Sequence, residues 1–374
     1  MAQPIMVGCD LHDKTMLLKI AQGRGPAETM SVQNTGGGRR RMIAQLQARA
    51  ADAGGAEVIL AYEASGQGFG LYDELLAAGI KCHVLAPTKI VRSIQQKRKK
   101  TDEKDAQGLL ELLRGHVLAG NALPKVWIPD MQTRDDRELV RMRLDVAEKQ
   151  TAVKAQVKGL LKRHRLVRPE AAGKGWTNGF KRWLHVLTSD SALAPRMRQT
   201  LASLLRQLDF IEQELDRLDA QLRELVDDPR YQAAVVKLVR LQGVGVLTAL
   251  VFLTEVGDAR RFANRRQISA YLGLVPACQE SGTQSDRKGH ITRQGPSRVR
   301  RVLCQATWAR VRCEGDDQRA YLRIVEKNPK KKKVAVVAAM RRLAVRMWHQ
   351  AREATAEATC SPGGPPAACS APAG

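Results

Sequence analysis

The alternation of apolar and polar residues divides the chain into two regimes. Over the first 115 residues, "IMVGCDL", "TMLLKIAQ" and "ETMSVQ" are short, apolar-rich runs separated by the turn signals "HDK" and "GRGP". They predict three sequential strands, paired antiparallel. A helix over about 39–53 then leads into "EVILAYE", a strongly apolar strand, followed by a helix near 69–78 and a further strand at "KCHVLAP". The pattern predicts a mixed α/β domain with helices covering a central sheet.

From about residue 131 the strand patterns stop. "RELVRMRLDVAEKQTAVKAQVKGLL" places apolar residues at 139, 142, 146, 153, 157 and 160, the stripe of a long amphipathic helix. After the less regular "AAGKGWTNGFKRW", Leu201, Leu204, Leu208, Ile211, Leu215, Leu218, Leu222 and Leu225 follow alternating steps of three and four. That is coiled-coil spacing, which suits a second copy of the chain and the chain's own preceding helix equally well. Near 229 begins "LVRLQGVGVLTALVFLTEVGDARRF", laid out as helix, Gly-x-Gly turn, helix. A helix-hairpin-helix turn offers backbone N–H groups to phosphate, but packing between two apolar helices also accounts for Gly243 and Gly245. A final helix is expected at "VAVVAAMRRLAVRMW", and the Ala/Pro/Gly/Ser-rich end from about 354 has the composition of a disordered tail.

Charge narrows the function. The 374 residues carry 62 Lys and Arg against 38 Asp and Glu, a net charge of +24. Such an excess points to a polyanionic partner, with nucleic acid as the default. A spanning helix needs about 18–20 apolar residues and no run approaches this. The start "MAQPIMVGCDLHD" lacks the features of a secretion signal, so the expected compartment is the cytoplasm. Seven scattered cysteines without a C-x-x-C pair argue against a disulfide framework or a zinc site. The basic runs are "KRKK" (Lys97, Arg98, Lys99, Lys100), "DRKGHITRQGPSRVRR" and "NPKKKK". They make Arg287, Lys288, Arg293, Arg298, Arg300 and Arg301 candidate phosphate contacts alongside the first four.

Against this background the acids stand out. Asp10 closes "IMVGCD" and Glu63 closes "EVILAYE", each a carboxylate at the end of an apolar strand. Buried carboxylates are costly unless cations or donors compensate them. Asp102 and Asp105, three apart, share one helix face; Thr101 is a natural N-cap, and Asp102 suits the helix dipole in any case. Two strand-end acids and two from one helix face form a candidate site for hard divalent cations, Mg²⁺ or alternatively Mn²⁺.

The order Asp10, "YEASG" with Glu63 and "KTDEKDA" with Asp102 and Asp105 resembles the DEDD transposases of bacterial insertion sequences, the insertion sequence one-ten family, which includes related DNA invertases. The segment "LQGVGVLTALVFLTEVGDARRFANRRQISAYLGLVPACQESG" resembles the family's second domain, and the likeness spans residues 4–350. "EASG" departs from the family's more usual Thr before Gly, with the Glu retained. The resemblance implies an RNase H-like, RuvC-type domain at 1–128, a helical coiled-coil connector at 129–228 and a mainly α transposase domain at 229–350, before a tail at 351–374. It further implies Asp10, Glu63, Asp102 and Asp105 as metal ligands and Ser281 of "QESG" as nucleophile. Donor and target DNA and a noncoding bridge RNA would be its partners, in a dimer or tetramer associated with the nucleoid. The residues alone do not single out Ser281, since Ser285 and Ser297 lie in equally basic surroundings. A water-using nuclease of the Holliday-junction type fits the quartet as well, and a non-enzymatic nucleic-acid scaffold fits the charge.

Overall fold

The computed structural model describes residues 2–90, 101–278 and 288–360. Its packing divides the chain into two compact units, Met1–Ile128 and Pro129–Gly374.

The first unit is an α/β layer structure built on a five-stranded mixed sheet of order β3-β2-β1-β4-β5. Strands β1 (Ile5–Leu11), β2 (Thr15–Gln22) and β3 (Glu28–Gln33) form an antiparallel meander. Then β4 (Val58–Glu63) and β5 (Lys81–Leu85) add in parallel beside β1. This topology is consistent with an RNase H-like fold. Alternate residues of each strand feed opposite layers, as the two-residue period requires. Val7, Cys9, Leu60 and Tyr62 face one core, closed by Met42 and Leu46 of α1 (Gly36–Asp52) and by Leu71 and Leu75 of α2 (Gly70–Ala77). Met6, Ile59 and Ala61 face the other, closed by Leu109, Leu110 and Leu113 of α3 (Asp102–Ala119).

Helix α3 starts where the sequence sets its cap: the Thr101 hydroxyl accepts from the Lys104 amide, and Asp102, Glu103 and Asp105 occupy the first turn. It stops at Gly120, whose left-handed φ of 73° suits glycine. Its buried stripe is Ala106, Leu109, Leu110 and Leu113. The helix lies directly on β1 at Gly8, where any Cβ would collide with the Ala106 carbonyl oxygen and the Leu110 amide. That close approach fixes how far the first turn of α3 sits from the end of β1.

In the second unit the 33-residue helices α4 (Met131–Arg163) and α6 (Pro195–Asp227) form an antiparallel hairpin, with α5 (Asn178–Ser189) packed at its far end. The leucine stripe of α6 is spent inside the chain. Leu201 and Leu205 pack with Val157, Leu161 and Phe180; Leu215 and Leu218 with Val146; Leu222 and Leu225 with Val140 and Leu144. Arg143 Nε donates to Asp219 Oδ1 at 2.7 Å across the hairpin. Of the two partners the spacing allowed, the stripe takes the chain's own preceding helix. Met142, expected on the apolar stripe of α4, is 44% exposed, and Val140 and Leu144 turn inward instead.

The base of the hairpin joins the largest core, shared with α7 (Gln232–Val239), α8 (Val246–Val256), α9 (Arg265–Tyr271), α10 (Ser297–Val311) and α12 (Lys332–Cys360). Helix α11 (Asp316–Lys327) packs outside α12. The turn between α7 and α8 holds Gly243 at φ 79°, where any Cβ would collide with the Ala306 carbonyl oxygen of α10, so packing demands glycine there. Two features depart from the sequence expectation. Strands do recur after residue 131, as an antiparallel pair of β6 (Pro276–Cys278) and β7 (Lys288–Ile291), too short to show a period. And α12 continues to Cys360, through the first part of the 351–374 segment expected to be disordered, because Ala351 and Ala354 are small enough to be buried against the core. Among the described residues no helix is long and apolar enough to cross a membrane.

Candidate metal centre and basic surface

The sheet and α3 bring Asp10 and Asp102 together in the first unit, with Asp105 close enough to act on the charge of Asp10 and Glu63 at the end of the neighbouring strand. Cys9 of β1 is in register with Tyr62 of β4, so the next residues, Asp10 and Glu63, end two adjacent parallel strands. Alternation puts both on the layer that Met6, Ile59 and Ala61 share with α3. Asp102 lies one helical turn before buried Ala106 on the sheet-facing side of α3, and Asp105 three residues further along.

Asp10 is better shielded than Asp102, with 17% of its side chain exposed against 58%. Burial raises its pKa; the charge and hydrogen bond of His12 oppose that rise, and the charges of Asp105 and Asp102 add to it. Three ligand atoms, one each from Asp10, His12 and Asp102, lie within 4.8 Å of one another. His12 Nε2 sits 3.0 Å from Asp10 Oδ2 and 3.4 Å from Asp102 Oδ1. The imidazole occupies the space between the carboxylates, where positive charge is needed. Its backbone carbonyl accepts from Asn34 Nδ2 at 2.8 Å, which anchors the turn after β1.

This donor set fits a divalent cation. Carboxylate oxygens are the usual ligands of Mg²⁺ and Mn²⁺, and an imidazole nitrogen is a donor that Mn²⁺ accepts more readily than Mg²⁺. Sequence reasoning found the carboxylates and missed His12. The available signal was the Asp10-x-His12 spacing at a strand end, which returns the second side chain to the same face.

The basic candidates separate by partner. Lys97, Arg98, Lys99, Lys100, Arg287 and Ser281 fall outside the described residues, and Lys288 opens β7. Arg298 Nη2 donates to both carboxylate oxygens of Asp145 at 3.1 Å, and Arg301 pairs with Glu148. Arg300 Nη1 donates to the carbonyls of Leu272, Gln294 and Gly295 at 3.2, 2.8 and 3.1 Å. These three therefore brace the unit from within. Arg293 is exposed, with a left-handed φ of 55°.

A second basic surface joins Arg293 and the "NPKKKK" run to Arg265, Arg266, Arg341, Arg342 and Arg346, which the sequence did not single out. A cavity of about 1100 Å³ opens between α9, β7 and α12, with eight Arg and Lys side chains and no carboxylate among its lining residues.

Two family profiles match the chain. One, described as "Transposase" and named for the DEDD transposases of IS110, covers residues 7–165. The other, "Transposase IS116/IS110/IS902 family", covers residues 236–323. "Putative transposase y4qE" of Sinorhizobium fredii is 32% identical over 305 residues, covering 81% of this chain and 70% of that protein. The transposase for insertion sequence element IS1533 of Leptospira borgpetersenii is 27% identical, over 67% of this chain and 70% of its own. The transposase for insertion sequence element IS1111A of Coxiella burnetii is 26% identical, over 67% of this chain and 65% of its own. With the first profile spanning all four acids, the second spanning α8, α9, β7 and α10, and a transposase 32% identical over 81% of the chain, the chain belongs to the IS110 family of DEDD transposases, enzymes that act on DNA.

Proposed function

We propose that this transposase cleaves and exchanges DNA strands by a divalent-metal-dependent reaction in which Ser281 becomes transiently joined to DNA. The observation that carries the metal part is the clustering of Asp10, His12 and Asp102 within 4.8 Å at the meeting of β1 and α3. Asp10, Glu63, Asp102 and Asp105 would hold Mg²⁺ or Mn²⁺, with His12 as an additional nitrogen donor. When bound, the ion supplies charge neutralisation at a scissile phosphate and lowers the cost of placing an anionic backbone beside four acids.

The protein's own groups do the rest. The Ser281 hydroxyl loses its proton and attacks phosphorus; a serine–phosphate bond forms as a DNA P–O bond breaks, and the departing DNA oxygen takes up a proton. A second DNA hydroxyl then attacks the phosphoserine and restores the serine. Because one phosphodiester is exchanged for another, rejoining needs no nucleotide cofactor. The serine role is supported by the family resemblance around "QESG". A noncoding bridge RNA as guide rests on the same resemblance, whereas the expectation of a dimer or tetramer comes from the α6 heptad stripe and from the separation of the acids and Ser281 in different units. The α6 stripe is occupied within the chain, so oligomers would have to use another surface.

The test is a supercoiled substrate carrying the element's junctions, its flanking RNA and Mg²⁺, quenched in denaturant. A protein–DNA adduct is expected for the wild type and absent for Ser281→Ala, while Asp102→Asn with Asp105→Asn blocks cleavage altogether. Cleavage that persists in Ser281→Ala without an adduct would instead establish the water-using nuclease.

A further inference from the structure

We infer that the cavity between α9, β7 and α12 is a binding groove for a single nucleic-acid strand, held by phosphates along its rim and by sugars and bases on its apolar surface. The inference rests on the transposase reading for its relevance but on different residues for its argument.

The cations come from two sides. Arg265 and Arg266 stand in the first turn of α9, and Arg293 follows β7. Across from them, the segment leading into α12 contributes Lys331, and the helix itself Lys333, Arg341, Arg342 and Arg346. Among the described residues, Arg265, Arg266, Arg293, Lys331 and Lys333 have no carboxylate within ion-pair distance. Their charge is available to an incoming polyanion.

Two of the remaining arginines are held in place from behind. Asp317 of α11, with 9% of its side chain exposed, accepts from Arg346 Nη1 at 2.8 Å and from Arg310 Nε at 2.7 Å, with Arg342 Nη2 3.8 Å away. One carboxylate against three guanidinium groups leaves a net positive cluster with its side chains pre-ordered, which lowers the entropy cost of gripping a phosphate. Arg341 Nε is similarly placed by Ser269 Oγ at 3.2 Å.

The occupant follows from what lies between the cations. Val334, Val337 and Val345 form an i, i+3, i+11 stripe on the outer side of α12, opposite the buried Ala335, Ala339, Leu343 and Met347, and Val334 is 57% exposed. Ile291 and Leu274 line the same space. A duplex, with its bases stacked inside, would rest on the rim and leave this surface wet. An unpaired strand can turn bases and sugars onto it while its phosphates reach both rows of cations, the general design of single-strand channels. Aliphatic side chains in place of aromatic ones give little base selectivity, so the groove would hold a strand irrespective of sequence.

The experiment uses the full chain in EDTA, with a fluorescein-labelled 15-nucleotide oligothymidine and a duplex of equal length, read by fluorescence anisotropy over a salt series. The groove variant combines Arg265→Gln, Arg266→Gln, Lys331→Gln and Lys333→Gln, all at exposed positions. The matched control combines Lys149→Gln, Lys158→Gln, Arg206→Gln and Arg223→Gln, equally exposed and with the same change in net charge. If each of the four contacts one phosphate, the slope of log K against log salt falls by about 3 for the groove variant, with at least ~10-fold weaker strand binding, and the control stays near wild type. Equal losses in both variants would reduce the effect to net charge and overturn the proposal. Tighter binding of the duplex than of the single strand would overturn it too. Because binding is read in EDTA, where no cleavage takes place, a failed cleavage mechanism and a failed groove give different results.

Discussion

At the scale of single residues, Asp10 shows the conflict between stability and chemistry most directly. Its folded-state pKa is raised, chiefly by burial. A raised carboxyl pKa means that its favourable contribution is present in acid and is lost as pH rises through the folded value, so at neutral pH the ionised group costs stability. Asp10→Asn removes that cost. In EDTA at pH 7.5 the variant is expected to be more stable by about 0.5–2 kcal/mol, the range typical of relieved functional-site strain. Mn²⁺ is expected to raise the melting temperature of the wild type and to leave that of the variant unchanged. A variant that melts lower in EDTA would show that the carboxylate is satisfied without an ion. How legible such residues were depends on what makes them functional. Asp10 and Glu63 could be read because acids closing apolar runs are unusual, and Asp102 and Asp105 because their spacing puts both on one helix face. His12 offered only its spacing of two from Asp10, and one histidine in a turn looks ordinary until the fold sets it 3.0 Å from that carboxylate. The basic candidates Arg298, Arg300 and Arg301 look like phosphate contacts in sequence, whereas their pairing with Asp145, Glu148 and backbone carbonyls depends on long-range packing.

At the scale of elements, the site depends on how closely α3 approaches β1, and Gly8 sets that distance. A methyl group there would overlap the Ala106 carbonyl oxygen and the Leu110 amide, both backbone atoms that no rotamer change can move aside. Gly8→Ala is therefore expected to push α3 outward, at a cost of about 1–3 kcal/mol from overpacking. Asp102 and Asp105 would move away from Asp10 with the helix. Thermal unfolding and a Mn²⁺ titration on the same protein check both halves: lower melting temperature and at least ~10-fold weaker metal binding, with no acid altered. Unchanged metal affinity would mean that the acids do not act together. The strands and helices of this unit were readable from alternation and capping, since those signals are local. The destination of the α6 stripe was not, because a heptad pattern specifies a partner surface without naming the chain that carries it. The short β6 and β7 were unreadable for a different reason: three or four residues are too few to display a two-residue period.

At the scale of the whole molecule, the proposed metal ligands and the proposed nucleophile belong to different units. All four acids and His12 lie in Met1–Ile128, whose sheet is covered on both faces by its own helices. Ser281 and the basic cavity belong to Pro129–Gly374. The net charge of +24 suggests a nucleic-acid partner, yet gives no hint of this separation, because composition is summed over both units. The division has a direct consequence. A fragment of residues 2–128 contains every proposed metal ligand and two complete apolar layers, so it is expected to fold alone and to bind Mn²⁺ within about threefold of the full chain, measured by calorimetric titration. The same fragment is expected to form no denaturant-stable adduct with DNA at any metal concentration, since the serine is elsewhere. Adduct formation by the fragment would place the nucleophile in the first unit and remove Ser281 from the mechanism. A folded fragment that binds no Mn²⁺ would mean that the second unit completes the metal centre, and that the cluster of Asp10, His12 and Asp102 is insufficient by itself.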